Sequence, residues 1–139
     1  MKKRIEKDSL GEIQIPFDAL YGPQTQRAVE NFNFSSYIMP KDFLISLLEI
    51  KKAAAKSNYK LKLISKNKCD AIVKSTEYLI NNYDDKNFPV DVFQTGSGTS
   101  TNMNVNEVIA RVAKIKFKTE VHPNDDINKC QSSNDVIPT

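Results

Sequence analysis

The residues of this sequence best suited to chemistry lie between Gln94 and Asp135. The first group is Thr95-Gly96-Ser97-Gly98-Thr99-Ser100-Thr101-Asn102. Its two glycines let the backbone turn tightly and approach a ligand closely, and hydroxyls and an amide surround them. If a helix begins near Thr101 or Asn102, its free N–H groups face back toward this loop, a setting that favours anions. The composition suits a carboxylate better than a nucleotide, because the lysine and spacing of a P-loop are missing and there is no GxGxxG. On residue types alone, a flexible loop ending in a helix cap is the slightly favoured account.

The second group is Gln131-Ser132-Ser133-Asn134-Asp135. Ser132, Ser133 and Asn134 offer neutral donors that can hold a carboxylate without burying a charge, but the same residue types cap helices routinely. Taken alone, capping is the better account. The third group is His122-Pro123-Asn124-Asp125. A histidine can accept a proton or bind an acid near neutral pH, although a lone one is more often structural or exposed. Pro123 biases His122 toward extended backbone, and Asn124 and Asp125 are ordinary turn formers. Glu107, about one turn into the expected helix, reads as a stabiliser of that helix's N-terminal end. No Ser-His-Asp triad follows from the spacing.

The positioning elements are mainly helical. Leu10-Gly11 marks a turn, and Ile13 and Ile15 alternate with Glu12 and Gln14, so a small hairpin is predicted at the start. A short helix follows over about 24–31. Pro40 and Asp42 open a longer one, in which Leu44, Leu47, Leu48 and Lys51 keep helical spacing and Ala53 to Ala55 add propensity. Ser65 is the expected N-cap of a third, with Ala71, Ile72, Leu79 and Ile80 on its apolar face. Pro89 to Gln94 is a short apolar-alternating stretch. Val105, Val108, Ile109 and Val112 have the i, i+3, i+4, i+7 spacing of a buried helix face, whereas Ile115 to Val121 switches to period two and blurs the helix end.

Composition narrows the function classes. The 139 residues suffice for one domain, with net charge +3 from 20 basic and 17 acidic side chains. The basic residues are scattered along the helices and no aromatic residues alternate with arginine, which argues against nucleic acid. No apolar run reaches the roughly 20 residues of a membrane span. The basic start MKKRIEKDSL lacks the apolar segment of a secretory signal, so the cytoplasm is the default expectation. Cys69 and Cys130 form no CxxC pair and are expected as free thiols; they are too few for an iron–sulfur cluster. With His122 the only histidine, no metal and no cofactor is expected.

Taken together, these segments resemble the fumarase/aspartase superfamily, and within it the class II fumarases. The most specific stretch is QTGSGTSTNMNVNEVIA (Gln94 to Ala110), followed by VHPNDDINKCQSSNDVIPT (Val121 to Thr139) and the opening from Arg4 to Phe32. KKAAAKSN (Lys51 to Asn58) and FPVDVFQ (Phe88 to Gln94) also fit, so the resemblance spans essentially the whole chain. Aspartate ammonia-lyases, the alternative within the superfamily, look like QGGAGTS where this chain has Gln94 to Ser100, and tend to have Asn at the place of His122.

The resemblance implies a mainly α N-terminal domain over residues 1–139, with short extended segments near the start. It implies the reversible hydration of fumarate to (S)-malate, a step of the tricarboxylic acid cycle, in a homotetramer that needs no metal. It assigns Ser97, Gly98, Thr99, Ser132, Ser133 and Asn134 to substrate binding, and His122, Pro123, Asn124 and Asp125 to a second dicarboxylate site. The family's catalytic serine, its acid/base partners and its central helical bundle lie further along the chain than Thr139. The resemblance therefore implies no catalytic residue among the 139, and a chain inactive alone, as in a truncated, non-catalytic fragment. A Gly-rich turn usual between Asn106 and His122 is missing here.

Overall fold

The computed structural model describes residues 2–139. The hairpin predicted at the start is present: β1 (Lys3–Asp8) pairs antiparallel with β2 (Gly11–Pro16), Asp8 opposite Gly11 at the turn. Gly11 has φ +113°, a conformation that only glycine adopts without strain. Alternation sends Ile13 and Ile15 inward and leaves Glu12 and Gln14 exposed.

Five helices follow: α1 (Pro23–Asn31), α2 (Lys41–Lys60), α3 (Lys66–Asn81), α4 (Thr99–Phe117) and the one-turn α5 (Ser133–Val136). Ser65 caps α3 as expected, its side chain accepting from the Lys68 N–H at 3.3 Å. The Pro89–Gln94 stretch forms no strand; its one sheet-like contact is an isolated bridge from Asp91 to Ile38.

α4 is the axis of the domain. α3, α1, the segment after Val121 and α5 all pack on it, and α2 packs on α3. The core joins Leu44, Leu47 and Leu48 of α2 to Ala71, Ile72 and Leu79 of α3 and to Val105, Val108, Ile109 and Val112 of α4. Every residue of α4 from Thr101 to Ile109 is buried, polar ones included. An apolar stripe of the usual width therefore describes only part of this helix.

The helix starts at Thr99, earlier than its apolar residues indicate, because Gly98 adopts the left-handed conformation just before it. It ends at Phe117, where Lys118 takes φ +54° and the Thr119 N–H closes on the Ala113 carbonyl at 3.1 Å. Lysine thus occupies the left-handed position that a glycine turn would fill without strain. The period-two look of Ile115 to Val121 arises because the helix stops midway through that segment.

Candidate anion-binding site

The two hydroxyl-rich loops meet at the N-terminal end of α4. In the first, Gln94 anchors the helix start: its Oε1 accepts from the Thr101 N–H at 2.8 Å, and its Nε2 donates to Thr101 Oγ1 at 2.7 Å. The Gly98 N–H closes the loop on the Thr95 carbonyl at 2.9 Å. Ser97 Oγ and Thr99 Oγ1 lie 2.8 Å apart at the surface. Each can rotate its proton toward a ligand, and the positive end of a 19-residue helix lies directly behind them.

The second loop is fixed against the first by a glycine. A Cβ on Gly98 would stand 3.0 Å from both Cγ1 and Cγ2 of Ile137, just past α5. Absence of a side chain at position 98 is what lets α5 sit against the start of α4. A polar tie runs beside this contact: Asn102 Nδ2 donates to Ser133 Oγ at 3.2 Å. Ser132 caps α5, accepting from the Asn134 N–H at 3.3 Å. The capping role expected for this segment therefore exists, and it leaves Ser133 in contact with Asn102 at the start of α4.

Beneath both loops is a buried polar cluster. Asn128 Oδ1 accepts from Lys51 Nζ at 3.0 Å, Asn102 Nδ2 at 3.0 Å and Asn106 Nδ2 at 3.3 Å. Lys51 also donates to Gln131 Oε1 at 2.9 Å. Its residue is 0% exposed, and burial pushes its ammonium down to about 7. Asn102 Oδ1 and Asn106 Oδ1, also buried, have no hydrogen-bond partner among the described residues. Sequence reasoning missed Lys51 and Asn128 as parts of the site; Asn102 and Gln131 stood in the first and second groups, but their place in one buried cluster was not read. One signal was present: Lys51 is the charged member of the Leu44, Leu47, Leu48 stripe, where an unpaired cation is costly.

The His122–Asp125 group is placed elsewhere. Pro123 backs a cleft of about 420 Å³ that also includes Arg4, Glu107 and Arg111, alongside the middle of α4. His122 is extended, as Pro123 requires, and its Nδ1 accepts from the Asn124 and Asp125 N–H groups at 3.3 and 3.0 Å. It thus caps the π-helical turn Pro123–Ile127, with the rest of the ring exposed. Asp126 steadies that turn by accepting from the His122 N–H at 2.8 Å and pairing with Lys68 at 2.7 Å. No hydrogen bond among the described residues links His122 through Asp125 to either hydroxyl loop.

Glu107 corrects an expectation. It stabilises a helix N-terminus, but that of α1 rather than its own. Its carboxylate accepts from the Gly22, Gln24 and Thr25 N–H groups at 2.9, 2.9 and 3.0 Å and from Thr25 Oγ1 at 2.6 Å. Burial raises its carboxyl above the ordinary range, against donors that hold it down. Among the described residues, no cluster of three or more His, Cys, Asp or Glu side chains could hold a metal ion, and no helix is long and apolar enough to cross a membrane.

With this geometry in place, comparison with known proteins decides the family. A lyase family matches residues 11–139. The chain belongs to that family. Its lyase relatives include a class II fumarate hydratase of Wigglesworthia glossinidia brevipalpis, 49% identical over 142 residues, and one of Halobacterium salinarum, 53% identical over 141. Each alignment takes in 98% of this chain and about 30% of the relative, so the chain spans under a third of the length of these lyases. The lyase fold agrees: the crystal structure of a class II fumarase from Schistosoma mansoni superposes with a TM-score of 0.92 at 44% identity, covering 99% of this chain and 30% of that one.

Proposed function

We propose that this chain supplies the dicarboxylate-holding part of a fumarate hydratase, which adds water reversibly across fumarate to give (S)-malate. The observation that carries the reading is the junction at the start of α4, where Gly98, flanked by Ser97 and Thr99, abuts Ile137, and Asn102 reaches Ser133, flanked by Ser132 and Asn134. Hydration of an activated double bond passes through a carbanion whose charge spreads onto the adjacent carboxylate. Preorganised hydroxyl, amide and backbone donors stabilise such growing charge, and they do so without a fixed cation in contact with the substrate. In this reading, removal of the proton from carbon and departure of hydroxide are assigned to no residue of the 139. The isolated chain then binds dicarboxylate at most, and the working assembly is a homotetramer.

His122, Pro123, Asn124 and Asp125, around the capped turn, form a second and weaker dicarboxylate site in the same proposal. Its separation from the hydroxyl loops makes it an accessory site. The test is consumption of fumarate by the protein that contains this chain, followed by ultraviolet absorbance in water and again with added ammonia. Water-dependent loss giving malate is the expected result. Loss only with ammonia would make the protein an aspartate ammonia-lyase and overturn the hydratase reading.

A further inference from the structure

The Lys51 cluster carries an inference that rests on the dicarboxylate reading and deepens it. A buried ammonium is normally neutralised by a carboxylate, yet Lys51 contacts only the amide oxygens of Asn128 and Gln131. Two carboxylates close in sequence to Lys51 or its partners are matched elsewhere: Asp126 with Lys68 and Glu49 with Lys52, both at 2.7 Å. No ion pair to Lys51 exists among the described residues. Asn128 Oδ1 has two lone pairs and receives three N–H groups, while the oxygens of Asn102 and Asn106 go without donors. A cation without a counter-ion and an over-supplied amide oxygen are therefore gathered under one place, beside two amide oxygens that lack donors. Three hydrogen bonds of 3.0, 3.0 and 3.2 Å lead from Lys51 Nζ through Asn128 Oδ1 and Asn102 Nδ2 to Ser133 Oγ.

We propose that Lys51 is a positioning residue of the anion site: it holds Asn128 and Gln131 beneath the Ser132–Asn134 loop and supplies a buried positive charge that is balanced only when a dianion binds above. The neutral donors at the surface make the contacts, and the charge acts through them. An anion settling there favours the charged form of an ammonium that burial otherwise disfavours.

A charge acting at a distance scales with ligand charge, whereas a packing defect does not. The test measures binding of fumarate and of its monoamide, which bears one carboxylate in place of two, to the protein that contains this chain, with and without Lys51→Met. The expected result is a loss of about tenfold for the dianion and about threefold for the monoanion, the ratio that proportionality to charge requires. Equal losses for both ligands, or none for either, in a folded variant overturn the proposal while leaving the dicarboxylate reading in place. Absence of fumarate binding by the unmodified protein overturns both. If Lys51→Met does not fold, Asn128→Asp carries the test: it neutralises the charge in place, and the same unequal losses are expected.

Discussion

The two ends of α4's buried stretch treat polar groups in opposite ways. Toward the hairpin, the charged groups are matched, although Gln26 Oε1 of α1 has no partner among the described residues. Arg4 donates to the carbonyls of Pro16, Phe17, Ala19 and Tyr21 and to Glu6, and Arg27 forms a paired contact with Asp8. Glu107 accepts from every donor that the start of α1 turns toward it. At the Gly98 end, the cation has no counter-ion, one amide oxygen is over-supplied, and two buried oxygens are orphaned. A saturated network has nothing left to offer a ligand and serves to hold the fold. An unsaturated one costs stability, and a buried cation without a counter-ion is explicable when an anion supplies the balancing charge; the orphaned oxygens need donors, which an anion does not provide.

Breaking the saturated end should produce the largest stability effect. Glu107→Ala removes the acceptor of three backbone N–H groups at a buried helix start, and a loss of about 3 kcal/mol is expected in chemical denaturation. A loss under about 1 kcal/mol would show that water satisfies those groups and would erase the contrast between the two ends.

Gly98→Ala comes next and acts on the unsaturated end. The left-handed conformation costs an alanine about 1–2 kcal/mol, and the new Cβ pushes on Ile137 from 3.0 Å. The expected signature is a modest drop in stability with a larger loss of dicarboxylate affinity, because α5 is driven off the helix start. Affinity that survives while stability falls would mean that the two loops do not need each other.

The smallest effect is acid-dependent and belongs to the turn that carries His122. Burial tends to raise the Asp126 carboxyl, but the His122 N–H and the Lys68 ammonium more than offset it and hold the pKa below the ordinary value. A carboxyl depressed in the folded state contributes stability that is present above its unfolded pKa of about 4 and is lost as pH falls through the lower folded value. Asp126→Asn should therefore destabilise by about 1 kcal/mol at pH 7 and by progressively less as pH falls below about 4. Denaturation curves across that range measure it; a pH-independent difference would remove the ion pair from the account.

Local signals in the sequence revealed the hairpin, the Ser65 cap, the α2 and α3 faces and the apolar face of α4. Each rests on spacing or on one residue's preference, which a single sequence displays. The start of α4 was less legible because its first turn is Thr, Ser, Thr and Asn, which read as loop, and its helical state depends on Gln94 and Gly98. The role of Glu107 was half legible: its affinity for a helix N-terminus is a property of the residue, but which helix it caps depends on a contact 82 to 85 residues away in the chain. The pairing of the two hydroxyl loops, and the amide cluster beneath them, are likewise products of tertiary packing. Within the buried cluster, Lys51 gave a local sign as a lysine on a leucine stripe, and Asn102 and Gln131 stood at the edges of the two hydroxyl-rich groups.

The central claim is that Thr99 and Ser133, 34 residues apart in sequence, serve one anion. A double-mutant cycle on fumarate affinity, using Thr99→Val, Ser133→Ala and the pair in the protein that contains this chain, tests it directly. Two donors to one bound carboxylate should be coupled by about 1 kcal/mol, with the double variant losing clearly less than the two single losses combined. Losses that add to within about 0.3 kcal/mol would place the two hydroxyls in separate sites and contradict the account.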